Sequence, residues 1–255
     1  MLTPGLTFNE NGHLQIEGCD AVALAKEYGT PLYVMNENLI RNNCKRYTSF
    51  INDNFKEGSY PCYASKALSC LEIYRIMAQE KMGVDVVSGG ELFTALKAGF
   101  PAERIFFHGN NKTPDELRMA VENGVGRIII DNYTELQNLE KIAAEAQKKV
   151  KIGLRIKPGI EAHTHDYIRT GQIDSKFGFS IENGEAMDAV TTALDCKWVE
   201  LTQLHCHIGS QIFDDEPFIE AANVMLSFFK KIKDELDIEL KSLNLGGGFA
   251  IKYLE

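Results

Sequence analysis

The sequence predicts an α/β chain built as a (β/α)8 barrel of the TIM type. Three observations predict it. Eight short β-rich runs alternate with longer segments whose apolar residues recur at helical spacing, the pattern of a parallel sheet wrapped by helices. The runs are fairly evenly spaced, which suits a barrel better than an open doubly wound sheet. The residues at the strand ends are unusually polar, and barrel enzymes carry their chemistry at the C-terminal ends of their strands.

The elements follow in order. Residues 1–30 carry the turn pairs Asn11-Gly12 and Glu17-Gly18 around short apolar runs, which predicts a β-hairpin outside the barrel. Barrel strands are expected at Leu32–Met35, Pro61–Ala64, Val84–Val87, Arg104–Phe107, Arg127–Ile130, Lys151–Ile156, Val199–Cys206 and Leu240–Leu245. Helices between them have recognisable ends. Thr113-Pro-Asp-Glu-Leu117 offers a capping hydroxyl, a first-turn proline and acids that suit the helix dipole, and Gly124 closes that helix. From Asn132 to Lys149, Leu136, Leu139, Ile142 and Ala143 share one face, which should pack on the sheet. Glu255 follows Gly248 by only seven residues, too few for an eighth helix. A barrel without that helix would expose an apolar seam, so the expectation is the front portion of a longer protein.

Composition narrows the function. The 255 residues carry 27 Lys+Arg against 36 Asp+Glu, a net charge of −9, with no basic run. That argues against nucleic-acid and anionic-membrane partners, which reward clustered positive charge, and leaves a small molecule as the expected partner. No run reaches the eighteen or so apolar residues of a membrane span, and the start lacks the basic-then-apolar order of a secretory signal. The six cysteines (Cys19, Cys44, Cys62, Cys70, Cys196, Cys206) form no C-x-x-C pair. Reduced thiols and a cytoplasmic location are expected. Cys206, between two histidines, reads as a small buried strand residue.

The strand-end residues are Lys66; Asp85 with Ser88 and Glu91; His108 with Asn110, Asn111 and Lys112; Asp131; Arg155; His205 with His207 and Ser210; and Gly246-Gly-Gly248. Barrel phosphate sites are commonly built from the loops after strands seven and eight, here His207–Gln211 and Gly246–Phe249. Glycines let backbone N–H groups approach an anion closely, and Ser210 can add a hydroxyl; a tight turn would also use three glycines. A phosphorylated cofactor that also requires a lysine amine is pyridoxal phosphate. Lys66 is the candidate, because desolvation at a barrel mouth favours the neutral amine needed for attack; a surface lysine is the alternative. Arg155 can bind phosphate or carboxylate, or make a structural ion pair. His207 can stack on a flat ring, or be a satisfied interior histidine. The long segment from Lys157 to Ser180, with His163, His165 and Arg169, reads as a lid or substrate wall.

The motifs then carry a resemblance. Tyr63-Ala-Ser-Lys66, Gly83-Val-Asp-Val-Val-Ser-Gly-Gly-Glu91, Phe107-His-Gly-Asn-Asn-Lys112, Thr164-His-Asp-Tyr-Ile-Arg-Thr-Gly171, Ser175-Lys-Phe-Gly178, His207-Ile-Gly-Ser-Gln211 and Gly246-Gly-Gly-Phe249 resemble the diaminopimelate decarboxylases. These are pyridoxal-phosphate decarboxylases of the alanine racemase-like fold. The resemblance implies decarboxylation of meso-2,6-diaminopimelate to L-lysine, the last step of lysine biosynthesis, with pyridoxal 5'-phosphate as cofactor and no metal. It makes Lys66 the lysine that carries the cofactor, His207 the residue stacked on its ring, and Ser210 with Gly246, Gly247 and Gly248 the phosphate cradle. Asp85, Glu91 and Arg155 match supporting positions. The Thr164–Phe177 stretch separates this group from ornithine and arginine decarboxylases, and Leu68 departs from the Asn common there.

The resemblance also implies that residues 1–30 belong to a C-terminal β-domain absent from this sequence, residues 31–255 forming the truncated cofactor-binding barrel. The family's Glu-Pro-Gly-Arg motif and the residues that complete the site across a homodimer would lie beyond Glu255, so the chain alone is expected to decarboxylate poorly. Three rival readings remain. One is another basic amino-acid decarboxylase of the same fold. The second is a zinc-dependent barrel hydrolase built on the H-x-H pairs His163/His165 and His205/His207, for which few carboxylate ligands are evident. The third is a non-catalytic pyridoxal-phosphate carrier.

Overall fold

The computed structural model describes residues 5–160 and 176–252. At the start, β1 (Leu6–Phe8), β2 (Leu14–Ile16) and β3 (Cys19–Asp20) form a small antiparallel sheet apart from the main one. Its turns fall on Asn9–His13 and on Glu17–Gly18, where φ is positive, as the turn pairs predicted. Asp20 then caps α1 (Ala21–Tyr28), accepting from the N–H groups of Val22 and Ala23.

After α2 (Glu37–Asn54) strand and helix alternate as far as β8. The order is β4 (Cys62–Ala64), α3 (Leu71–Gln79), β5 (Gly83–Val86), α4 (Gly89–Lys97), β6 (Ile105–Phe107), α5 (Pro114–Glu122), β7 (Arg127–Ile130), α6 (Tyr133–Ala146) and β8 (Val150–Lys157). Then come β9 (Phe179–Ser180), α7 (Glu185–Asp195), β10 (Val199–His205), α8 (Glu216–Leu236) and β11 (Ser242–Asn244). The main sheet runs β4-β5-β6-β7-β8-β10-β11, all parallel, and β9 adds to the far end of β8 through Ile156↔Phe179.

The helix signals act as the residue chemistry requires. Thr113 and Glu116 form a reciprocal capping box, and Pro114 occupies the first turn of α5. On α6, Leu136, Leu139, Ile142 and Ala143 are buried, the face expected to pack on the sheet. Each large apolar side chain there stabilises the fold by about 1.5–3 kcal/mol, and Leu139→Ala would cost about 2–5 kcal/mol.

The sheet curls. Strands β6 and β10 stand three positions apart, about 14 Å on a flat sheet at the usual strand spacing. Yet the rings of His108, just after β6, and His205, on β10, are 4.6 Å apart edge to face. Arg127 of β7 likewise reaches over β8 to Thr202 Oγ1 of β10 at 2.9 Å. Side chains from non-neighbouring strands meet only on a strongly concave face.

One expected strand is absent. Leu32–Met35 joins no strand among the described residues, and Tyr33 is 97% exposed. Among the described residues β4 and β11 are therefore the two edges, and the array has a barrel's order without an eighth paired strand. The reason is physical: strand propensity records how well a residue fits a pleated surface between neighbours. A four-residue run opened by Pro31, which has no N–H to give, cannot hold itself between two three-residue edges. The expected Leu240–Leu245 strand shortens to Ser242–Asn244 for a related reason, because the glycine loop turns the chain away after Asn244.

Candidate active site at the strand ends

Three of the βα turns share one device, a glutamate at the third helical position that accepts from backbone N–H groups before or beside its own helix. In α4, Ser88 caps through Glu91 N–H, while Glu91 Oε2 accepts from Val87 N–H at 2.8 Å. In α5, Glu116 accepts from Thr113 N–H and, across the gap to α4, from Gly89 N–H at 2.6 Å. In α6, Asn132 caps and Glu135 Oε2 accepts from Asp131 N–H at 3.0 Å. Neighbouring strand ends are thereby tied into one rim.

Lys66 lies on a single 3-10 turn, Ser65–Ala67, directly after β4. Ser65 is buried, with its hydroxyl 2.8 Å from both Asp85 O and Glu91 Oε2, and this holds the turn against β5. Lys66 itself is exposed, not desolvated as expected. The cause is its place just after the edge strand β4, with no described strand on the outer side.

Asp85 of β5 points into the concave face, where its Oδ1 is 3.5 Å from His108 Nε2. Below it the Cys62 thiol is pushed well above the ordinary range, first by burial and then by the Asp85 charge. His205 lies edge-on to His108, and its Nδ1 is 3.2 Å from Asn244 O. A carbonyl only accepts, so Nδ1 carries the proton. Burial, followed by the charge of His108, Arg155 and His207, holds the His205 pKa well below the ordinary value, and the ring is neutral.

Next along the rim, Lys112 is almost wholly buried and pairs with Glu135 at 2.7 Å, while donating to Gly109 O and Ile129 O. Burial lowers the Lys112 pKa and raises that of Glu135. Asp131 Oδ1 and Arg155 Nη1 are 3.9 Å apart, and the Arg155 guanidinium lies over the Phe177 ring at 4.9 Å.

The loops after β10 and β11 zip together. Ile212 N–H donates to Gly248 O at 3.0 Å, Ala250 N–H to Ile212 O at 3.1 Å, and Ile251 N–H to Gln211 Oε1 at 3.0 Å. Two glycines make this approach possible. Gly246 has φ +74°, and a Cβ there would lie 2.6 Å from Cys206 O and 3.0 Å from His207 Nδ1. Gly248 has φ +104°, and a Cβ there would run into the Gly209 carbonyl. Gly247 faces open space, whereas the Gly246 N–H is taken by Asn244 Oδ1 at 2.7 Å.

The structure thus brings together His207, Gly246 and Gly248, with the exposed Ser210 on the same loop. It gathers Asp85 with His108 and His205 at the centre, and Arg155 with Asp131 beside them. Ser65, next to Lys66, is tied to Asp85 O and Glu91 Oε2. Sequence reasoning gave no part to Asn244, Ser65 or Glu135. The only signal for Asn244 was its place two residues before the glycines; for Ser65 and Glu135 it was a polar residue next to a strand end or in a first turn. His163, His165, Arg169 and the Thr164–Gly171 motif lie outside the described residues. Among the described residues no three His, Cys, Asp or Glu side chains converge as a metal set, and no helix is long and apolar enough to cross a membrane.

These residues fit a phosphorylated aldehyde cofactor. A loop kept clear of Cβ atoms suits a phosphate, an accessible lysine suits an aldehyde, and the two occupy the same rim. Residues 38–255 match the family described as pyridoxal-dependent decarboxylase, pyridoxal binding domain. The chain is 50% identical over 97% of its length to a diaminopimelate decarboxylase of Bacillus methanolicus, and 49% identical over 97% to that of Bacillus subtilis. It spans 57% and 56% of those two proteins. The crystal structure of the diaminopimelate decarboxylase of M. jannaschii in co-complex with L-lysine superposes with a TM-score of 0.89 at 37% identity, covering 100% of this chain and 59% of that one. With the family match and the fold in agreement, the chain belongs to the pyridoxal-dependent decarboxylases and carries their pyridoxal-binding domain.

Proposed function

We propose that this chain is the cofactor-binding part of an enzyme that decarboxylates meso-2,6-diaminopimelate to L-lysine. What supports the reading is that Lys66, just after β4, and the zipped His207–Ile212 and Gly246–Ala250 loops, after β10 and β11, all follow the C-terminal ends of strands in one parallel sheet, in a chain half identical to proteins of that activity. When bound, pyridoxal phosphate supplies an electron sink for the carbanion left by loss of CO2.

The chain's residues divide the remaining work. Lys66 presents its amine to the cofactor aldehyde. Ser210 and the backbone of Gly247 and Gly248 hold the phosphate, with Gly246 shaping the turn because its own N–H is committed to Asn244. His207 covers one face of the ring, and Asp85 and Arg155 orient polar groups around it, Glu91 acting through Ser65. Residues 1–30 form the first strands of a second, β-rich domain, and residues 31–255 the barrel. We place the enzyme in the cytoplasm as a homodimer, a location that the unpaired cysteines support.

Borohydride treatment of the chain with pyridoxal 5'-phosphate, followed by peptide mapping, tests the site. Label is expected on the peptide containing Lys66, and Lys66→Ala should abolish it; label elsewhere overturns the assignment. Release of CO2 from meso-diaminopimelate, compared with ornithine and arginine, tests the substrate.

A further inference from the structure

Two buried polar atoms on the concave face lack any hydrogen-bond partner among the described residues: Asp85 Oδ1 and His108 Nε2. They face each other at 3.5 Å, beyond direct hydrogen-bond length, and His108 is 8% exposed. Buried polar atoms are costly unless something satisfies them, and native structures rarely leave two side by side. The described residues around the pair do not fill the gap. His205 meets His108 with a ring edge, and its one proton goes to Asn244 O. Among the described residues the remaining neighbour is the Cys62 thiol, a weak donor that hydrogen-bonds to the Asp85 carboxylate but leaves Oδ1 without a partner.

The gap has a definite chemistry. An oxygen about 2.8 Å from each atom spans it comfortably. With the His108 proton on Nε2, that oxygen donates to a carboxylate and accepts from an imidazole N–H at once. A hydroxyl does both; a carbonyl or an ammonium does only one. We propose that Asp85 and His108 form a hydroxyl-binding subsite that takes the ring hydroxyl of the pyridoxal cofactor. His108 is then a cofactor-specificity residue. This rests on the reading of the rim as the cofactor site.

The test compares dissociation constants, read from visible absorbance, of pyridoxal 5'-phosphate and its 3-deoxy analogue. The hydroxyl also alters the cofactor's intrinsic reactivity, so the ratio is measured in wild type and in His108→Leu, and the change in ratio isolates the contact. A charge-assisted hydrogen bond in a buried site predicts a ratio at least about tenfold larger in wild type than in His108→Leu. His108→Gln, which keeps an N–H at similar reach, should restore part of it. Should His108→Leu fail to fold by circular dichroism, the shorter His108→Asn against His108→Gln gives the same comparison. Ratios equal within twofold across these proteins would overturn the subsite and leave a water as the occupant. Failure of wild type to bind pyridoxal phosphate at Lys66 would instead overturn the cofactor site itself, and the subsite with it.

Discussion

Replacing Lys112 with methionine should destabilise the chain by about 3–5 kcal/mol, the usual cost of leaving one member of a buried ion pair uncompensated. The structure gives the terms. Lys112 donates to Ile129 O at 2.8 Å and to Gly109 O at 2.5 Å, and its ammonium is ion-paired with Glu135 Oε1 at 2.7 Å. The two side chains are only 1% and 4% exposed, so water cannot replace what is lost. The double variant Lys112→Met/Glu135→Leu removes both charges, but it leaves Gly109 O, Ile129 O and Asp131 N–H without their partners, each costing about 1–3 kcal/mol. It should therefore lose less than the two single variants summed.

The pH dependence has a fixed sign. Burial raises the Glu135 pKa, so above the unfolded value of about 4.3 the folded state binds more protons than the unfolded one, and stability falls as pH rises. Without Lys112 this effect is larger, so the Lys112→Met deficit should shrink as pH is lowered toward 5. Urea unfolding followed by Trp198, the sole tryptophan, provides the measurement. A Lys112→Met protein within 1 kcal/mol of wild type at unchanged m-value, or a deficit that grows in acid, would refute the reasoning.

Other consequences can be checked alongside. Gly248→Ala should weaken cofactor binding at least about tenfold, because it combines positive φ with collision against Gly209, whereas Gly247→Ala meets no atom and should keep the loop's shape; absorbance titration compares them. Burial pushes the Cys206 thiol up to about 12, so at pH 8 iodoacetamide should modify the exposed Cys19 and Cys70 while sparing Cys206, as read by mass spectrometry. The depressed pKa of His205 means that the unfolded state binds the extra proton below about pH 6.5, so stability falls with acid through that window. His205→Phe should flatten that part of the pH–stability curve, and an unchanged slope would show that His205 does not titrate on unfolding.

The sequence by itself determined what is local or repeats locally. The capping box at Thr113–Glu116, the buried face of α6, the turn at Glu17-Gly18 and the parallel βα order all follow from spacing and backbone chemistry over a few residues. Lys66, Asp85, Arg155, His207 and the glycines could be singled out because strand ends are legible in the chain and chemistry collects there. Tertiary structure decided everything that depends on neighbours distant in sequence. It left Leu32–Met35 unpaired among the described residues, since a strand exists only where a neighbouring strand offers it hydrogen bonds. It exposed Lys66 on an edge, committed the Gly246 N–H to Asn244, and through the curl of the sheet set His108 of one strand end against His205 of another. Burial and hydrogen-bond satisfaction are properties of the assembled surface, so no run of residues states them in advance.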